Sequence, residues 1–467
     1  MGVTSASTTS RLEFTLPLTR EQAQAIYAKG AEAVIFVMLE LSARLMMSRQ
    51  GKPTSSTPSG MVPPYQKPAA KKRRKKPGAK PGHPGSRRKP PPRIDRREEH
   101  PPQACCPECG STLGSVTERR FRLIEEIPVT QPEVTEHSIP RQWCPTCKKL
   151  VEPPVVDAMA GAKFGHRLVT LSAWLHYGLG TTLSQVIAVL RYHLQFEVSE
   201  GGLVDAWRRL AEVLAAWYAE IGKEVKRSGV LHGDETGWRV NGRTHWLWCF
   251  ASARATFYMI DRSRGSPALS KFFKEAFNGV LVTDFWAAYN AVVCAARQAC
   301  LPHLFRELDE TDEADRSELW AAFSKKLKRL LRDAIRLAAK DALSNEGFAS
   351  RRSLLDDRLA DLFERPSDNK NVRRLQKRLR RYQHALFTFL DHPGVPSDNN
   401  HAEREIRPAV IMRKNSLANR SEDGAEVQAI LMSVYRTLKI RGHDPLDTIV
   451  RALREYIRTG SLPSLPN

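Results

Sequence analysis

Apolar residues change their spacing several times along the chain, and each change marks a boundary. From Thr19, "TREQAQAIYAKGAEAVIFVMLELSARLMMSRQ" repeats apolar positions at helical spacing from Ile26 to Met47. Thr19 and Gln22 fit a capping box, and Gly30 weakens the middle. A long isolated helix must bury its stripe. Residues 1–49 therefore predict a helical segment that self-associates, as in a coiled coil. Residues 50–103 lose the pattern and fill with Pro, Gly, Ser, Lys and Arg, too little apolar surface to repay ordering, so they predict a linker. Within residues 104–155, "RRFRLIEEIPVTQPEVTEHSIPRQW" shows β-branched runs and alternation, which predict short strands.

Helical spacing returns in residues 156–228, where "HRLVTLSAWLHYGLG", "TTLSQVIAVLRYHL" and "SEGGLVDAWRRLAEVLAAWYAEIGKEVKR" read as consecutive helices. Short glycine-containing turns between them suit a helix-turn-helix-like, DNA-binding bundle, and equally a plain packing unit. Residues 229–310 change character again. "GVLHGDETGWRV", "THWLWCFASA", "RATFYMIDRS", "GVLVTDFWAAYN" and "QACLPHLFREL" are apolar, β-branched and aromatic, with a helical "SPALSKFFKEAF" before the fourth. That order predicts an α/β core with a mixed sheet, the last stretch being a strand after a helix. Residues 311–392 revert to charged amphipathic helices, and 393–467 close the chain with more helices. The fold class is multidomain α+β.

Charge narrows the partners. Among 467 residues, 73 Lys+Arg face 51 Asp+Glu, a formal net charge of +22. Such an excess speaks of polyanionic partners, nucleic acid first and an acidic membrane surface second. The longest apolar run, "AVIFVMLEL" at 33–41, already contains Glu40, whereas a span needs roughly 20 apolar residues, so no membrane span is expected. The N-terminus lacks a signal-peptide layout, and "MGVTSA" is one short match to a myristoylation pattern. A cytoplasmic, nucleoid-associated location is the expectation. The cysteines then read as thiols or metal ligands rather than disulfides. The tract Lys71, Lys72, Arg73, Arg74, Lys75 and Lys76 is the densest positive charge and predicts salt-dependent phosphate contacts.

Cys106-x-x-Cys109 and Cys144-x-x-Cys147 stand 34 residues apart. Two tight turns brought together offer four sulfurs, which suits tetrahedral structural zinc. Cys105 is a rival to Cys106 for the first ligand position, and a redox dithiol is the alternative chemistry.

Two apolar runs end in an acid: "VLHGDETGWRV" at Asp234 and "GVLVTDFWAAYN" at Asp284. Carboxylates placed so are costly unless paired or metal-bound, and in one sheet they can converge. A third carboxylate would complete a site for two Mg²⁺ (or Mn²⁺) ions, the arrangement used in phosphodiester chemistry. Glu403 in "SDNNHAEREIRP" is the best candidate. Ser397 or Asp398 would cap a helix there, placing Asn399, Glu403 and Arg407 on one face. Glu235 should face opposite Asp234, and Asp261 reads as a turn residue. Trp238, Trp286 and Tyr289 read as core.

These motifs, with "KPGAKPGHPG" and "NNHAEREIRPAVIMRKN", resemble transposases of the insertion-sequence 66 family across nearly the whole chain. The resemblance implies a ribonuclease H-like catalytic domain with Asp234, Asp284 and Glu403 as its triad. A helical insertion then fills the 119 positions from Asp284 to Glu403. It also implies a Cys-x-x-His element, matched by Cys300 and His303, and DNA contacts from Arg404, Arg407, Arg413 and Lys414. The implied activity is strand cleavage at the element's terminal inverted repeats, then attack of the freed 3′-hydroxyl on target DNA. Assembly as a homo-oligomer on paired ends follows, with accessory proteins of the same element as further partners. A ribonuclease H-like nuclease or resolvase, and a non-catalytic DNA-binding derivative, are the alternatives. Two departures stand out: the N-terminal helix is apolar and glycine-interrupted, and "SLANRSEDG" lacks an aromatic after "RKN".

Overall fold

The computed structural model describes residues 90–339, 344–416 and 419–467, together with parts of 20–38. The Lys71–Lys76 tract lies outside the described residues, as does most of the predicted N-terminal helix. What is described there is α1, Arg20–Tyr27. Gly30 follows with φ +93°, a left-handed conformation that stops a helix.

The predicted strands between the cysteine pairs are corrected. The only strands of that region among the described residues are β1 (Gln142–Cys144) and β2 (Lys149–Val151), an antiparallel pair around the second cysteine pair. From 115 to 140 the chain is extended and exposed, with Phe121, Ile127 and Val134 all open. Alternation alone does not make a strand where no partner face covers it.

Three helices follow as read: α2 (His166–Ala173) running into a π-helical turn, α3 (Leu183–Leu194) and α4 (Glu200–Lys226). Thr182 and Gln185 form a full capping box on α3. The stripe of α4, from Leu203 through Trp207, Leu210, Leu214 and Trp217 to Val225, is buried.

The sheet holds β3 (Val230–Val240), β4 (Arg243–Ala251), β5 (Thr256–Asp261), β6 (Phe277–Thr283) and β7 (Cys294–Ala299), in spatial order β5-β4-β3-β6-β7. The first pairings are antiparallel, while β3, β6 and β7 run parallel. Asn241 and Gly242, with φ 47° and 71°, turn β3 into β4 as an Asn-Gly hairpin does. Helix α5 (Ser266–Phe272) carries the chain from β5 to β6. The expected strand at "QACLPHLFREL" is shifted: β7 ends at Ala299, and Pro302 sits in the first turn of α6 (Leu301–Ala314). A proline there suits a helix start, having no N–H to leave unsatisfied.

Helices α6, α7 (Glu318–Ala338), α8 (Asn345–Glu364), α9 (Lys370–Leu386) and the short α10 (Thr388–Asp391) build the charged helical stretch. Then come α11 (Asn400–Ser416), α12 (Glu422–Ile440) and α13 (Pro445–Thr459). Alternation along β6 divides the core. Leu281 packs with α2–α4, α12 and α13, whereas Val280 and Val282 pack with the stretch from α6 to α10.

Helix α11 is tied to α12 by a buried ion pair and to β5 by hydrogen bonds. Glu405 accepts 2.9 Å from Arg436 Nη2 of α12 and 3.3 Å from Thr256 Oγ1, and Tyr258 donates to its backbone carbonyl. Arg436→Ala should cost about 3–5 kcal/mol, because it leaves Glu405 charged and buried. A urea-denaturation midpoint lowered in Arg436→Ala and partly restored in Arg436→Lys checks this.

Candidate active site at the parallel strand ends

Register places the acids. Val230 pairs with Val280 and His232 with Val282, so two residues further along, Asp234 and Asp284 stand level. On the other side Thr283 pairs with Ala299, which brings Cys300 into the same row, and Cys300 N donates to Thr283 O at 2.8 Å. Glu403 arrives on the first turn of α11.

Asn399, just before that helix, fixes its approach. Its side-chain nitrogen donates to Gly233 O at 2.8 Å, its side-chain oxygen lies 3.1 Å from His232 Nδ1, and its backbone N–H donates to Cys300 Sγ at 3.2 Å. It also accepts from Glu403 N at 3.1 Å through its carbonyl. One buried asparagine thus joins β3, the end of β7 and α11. Asn399 is used up here, so it is not on the open face with Glu403 and Arg407 as expected.

All three acids are half-buried. Asp234 Oδ1 accepts from Glu235 N at 2.9 Å, and Asp284 Oδ1 from Trp286 N at 2.8 Å. Burial pushes the Asp234 carboxyl well up, and the charges of Glu235, Asp284 and Glu403 push it further. Burial also raises Asp284, against Arg264 and Arg378, and raises Glu403, against Arg306. Burial thus makes all three acids resist ionisation, and for Asp234 and Asp284 the neighbouring carboxylates add to it.

Glu235 faces the other way, as expected, and enters an unforeseen network. Its oxygens accept from Arg264 Nη2 at 3.0 Å and from Tyr289 Oη at 2.9 Å. Arg264 stacks between Trp246 and Trp286, 4.5 and 3.9 Å from the ring centroids, and its carbonyl accepts from Trp286 Nε1 at 3.1 Å. Burial first, then Asp284, brings Glu235 up to about 7. Trp238 and Tyr289 are core, whereas Asp261, expected in a turn, closes β5 opposite Trp246 and accepts from Ser263 N at 2.8 Å. No sequence signal marked Arg264, and Asn399 was marked for the open face rather than for the clamp, whose contacts lie far along the chain.

The all-oxygen acid set suits hard divalent cations such as Mg²⁺ or Mn²⁺, which relieve the repulsion among half-buried carboxylates. The cysteine pairs form separate knuckles. Gly110, with φ +74°, closes the first, its N–H donating to Cys106 O at 2.8 Å. The Ser111 hydroxyl and N–H, with Cys106, draw the Cys109 thiol down to about 7. Cys106 rather than Cys105 is thus the neighbour of Cys109. In the second knuckle Cys147 N donates to Cys144 Sγ at 3.4 Å and lowers its thiol. Thiols poised this way suit zinc. The structure does not gather the two pairs: among the described residues, the one group with ligand atoms within 4.8 Å of one another is Cys300, His303 and Glu403.

Of the basic residues, Arg404, Arg407 and Lys414 are exposed on α11. Arg413 is half-buried and donates to Gly237 O at 2.8 Å, which makes it a tie to β3. A basic groove was missed. Arg374, Lys377, Arg378 and Arg381 of α9, with Phe285 and Tyr382, line a cavity of about 590 Å³. Arg378 lies over the Phe285 ring at 4.8 Å and lowers Asp284, so the groove borders the acids. The signal lay in "RRLQKRLRRYQ", whose cations recur on one helical face.

The family model described as Transposase IS66 family matches residues 161–427, which include all three acids. The chain belongs to the IS66 transposase family. A second model, the zinc-finger binding domain of transposase IS66, matches residues 103–148 and supports zinc binding by the cysteine segment. Two curated relatives are uncharacterized proteins of Sinorhizobium fredii. The protein y4qI is 26% identical over 52% of this chain and 52% of its own length. The protein y4jD is 24% identical over 77% of this chain and 76% of its own length. The chain thus spans about half of the first relative and about three quarters of the second. Among the described residues, no helix of this IS66-family chain is long and apolar enough to cross a membrane.

The raised acids set a pH dependence. Their folded-state values exceed the unfolded ones, so their contribution to stability is full at acid pH and is lost as pH rises through the folded values. The loss begins above about 4 and continues through Glu235's value of about 7. In metal-free protein, Asp234→Asn should melt above wild type at pH 8 and level with it near pH 4. Thermal melts in chelator check this, and no gain at pH 8 would refute the mutual repulsion.

Proposed function

We propose that this chain is a DNA transposase, with Asp234, Asp284 and Glu403 as its catalytic acids on a ribonuclease H-like core. The observation that supports the reading is the parallel register that sets Asp234 and Asp284 level, with Glu403 on α11 near enough for its charge to raise both. The spatial order, an antiparallel group joined to a parallel one, suits that core. So does the helical stretch between the second and third acids.

The three carboxylates would hold two divalent cations, which supply charge neutralisation for phosphodiester hydrolysis and transesterification. The chain's own residues do the rest. Trp286 N and Glu235 N each hold one carboxylate oxygen, leaving the other oxygen of Asp284 and of Asp234 available. Asn399 holds the helix that carries Glu403. The α9 groove and the exposed Arg404 and Arg407 of α11 offer cations to the DNA backbone, positioning a strand without reading its bases. Hydrolysis at an element end leaves a 3′-hydroxyl. Its attack on a target phosphodiester forms one P–O bond as another breaks, so the same acids serve both steps. The terminal inverted repeats and target DNA are the substrates, on a homo-oligomer that pairs two ends.

Strand transfer on DNA carrying the flanking repeats tests the triad. Glu403→Gln should lose more than the roughly 100-fold that disturbing an outer-shell partner costs, and full activity in that variant would sink the assignment. The groove has its own test. Lys377→Glu with Arg381→Glu should weaken binding to any duplex and lower the salt slope by about 1 for each phosphate no longer neutralised. An unchanged slope by fluorescence anisotropy would remove the groove from the DNA path.

A further inference from the structure

Cys300 Sγ, a His303 ring nitrogen and a Glu403 oxygen lie within 4.8 Å of one another, and His303 Nδ1 is 3.8 Å from Glu403 Oε1. That is too long for a hydrogen bond. His303 Nδ1 is buried with no hydrogen-bond partner, an unusual state for a ring nitrogen inside a protein. Cys300 is fully buried just before the first turn of α6, with His303 three residues on, so the pair points to one side of a helix start. The backbone N–H groups of His303 and Asn399 both point at Cys300 Sγ. Two N–H donors on one sulfur are what a metal-bound thiolate uses, since they offset its charge.

We propose that Cys300 Sγ, His303 Nδ1 and Glu403 form a three-ligand site for a thiophilic divalent cation, zinc by its donor chemistry, separate from the cysteine pairs. Sulfur, imidazole and carboxylate together select zinc over magnesium. Zinc bonds of about 2.0–2.3 Å need ligand atoms within roughly 4 Å of one another, so side-chain adjustments of under about 1 Å close the site. Binding releases the Cys300 proton to solvent, and the sulfur lone pair forms the bond to the cation. His303 offers the Nδ1 lone pair of a neutral imidazole. Arg306 and Arg378 oppose a cation here, while Asp398 and Glu403 favour one.

The functional consequence rests on the transposase reading. Glu403 cannot serve this cation and the Asp234–Asp284 pair together, so occupancy would withdraw the third catalytic acid. The site is thereby a built-in brake by a soft metal.

Cobalt(II) titration of the full-length, reduced, metal-free protein tests this without measuring activity. Wild type should take one more equivalent than His303→Gln and than Cys300→Ser, with weaker thiolate-to-cobalt absorption in Cys300→Ser. Equal counts in wild type and His303→Gln would overturn the site. Should Cys300→Ser fail to fold by circular dichroism, His303→Gln decides, since His303 is only half-buried. Excess Mg²⁺ should release this equivalent and spare the one held by the cysteine pairs, and no release would refute the sharing of Glu403. An intact cobalt count alongside failed strand transfer would sink the transposase reading and leave the site standing.

Discussion

Parallel pairing of β3, β6 and β7 brings side chains to one level whether or not they repel. Here it sets Asp234 level with Asp284, each half-buried, and the Asp284 charge raises the cost of ionising Asp234. Folding alone would not choose this arrangement, because like charges out of water oppose the compact state. The surrounding structure tolerates the cost because β3 is central, paired on both edges and held between two apolar cores. A strained site of this kind is stabilised by whatever neutralises it. Residues that stabilise the fold and residues that would hold a cation are therefore distinct sets.

Two supports surround the acids. Behind the sheet, Glu235, Arg264, Trp286 and Tyr289 form a closed network whose members satisfy one another, and Trp286 also holds Asp284 through its backbone. In front, Asn399 spends its amide on Gly233 and its backbone N–H on Cys300, which docks α11. Arg264 of the first support opposes the rise of Asp284, while Asn399 adds no charge to the open side. Cations reach it from further out, on α9 and α11, where phosphates would lie.

Much of this was legible beforehand. Apolar runs leading into Asp234 and Asp284 marked the acids because a buried carboxylate is expensive and rare, although only Asp284 follows a strand end while Asp234 lies within β3. Helical spacing in α4, α9 and α12 showed their buried faces, and the Cys-x-x-Cys pairs announced themselves by spacing alone. Between those pairs the alternation misled, since residues 115–140 stay exposed and bury no face. The strand expected at residues 298–308 gave way to a helix, because Pro302 suits a first helical turn.

The sequence by itself determined which residues are acids, thiols and cations, and roughly which elements carry them, because periodicity and residue chemistry are local properties. Tertiary structure decided who meets whom. That Arg413 ties β3, that Arg264 lies between two tryptophans, and that Glu403 sits near both the aspartates and the Cys300–His303 pair depend on contacts more than 100 positions apart in most cases. Strand register and helix docking set such contacts, and neither leaves a local trace.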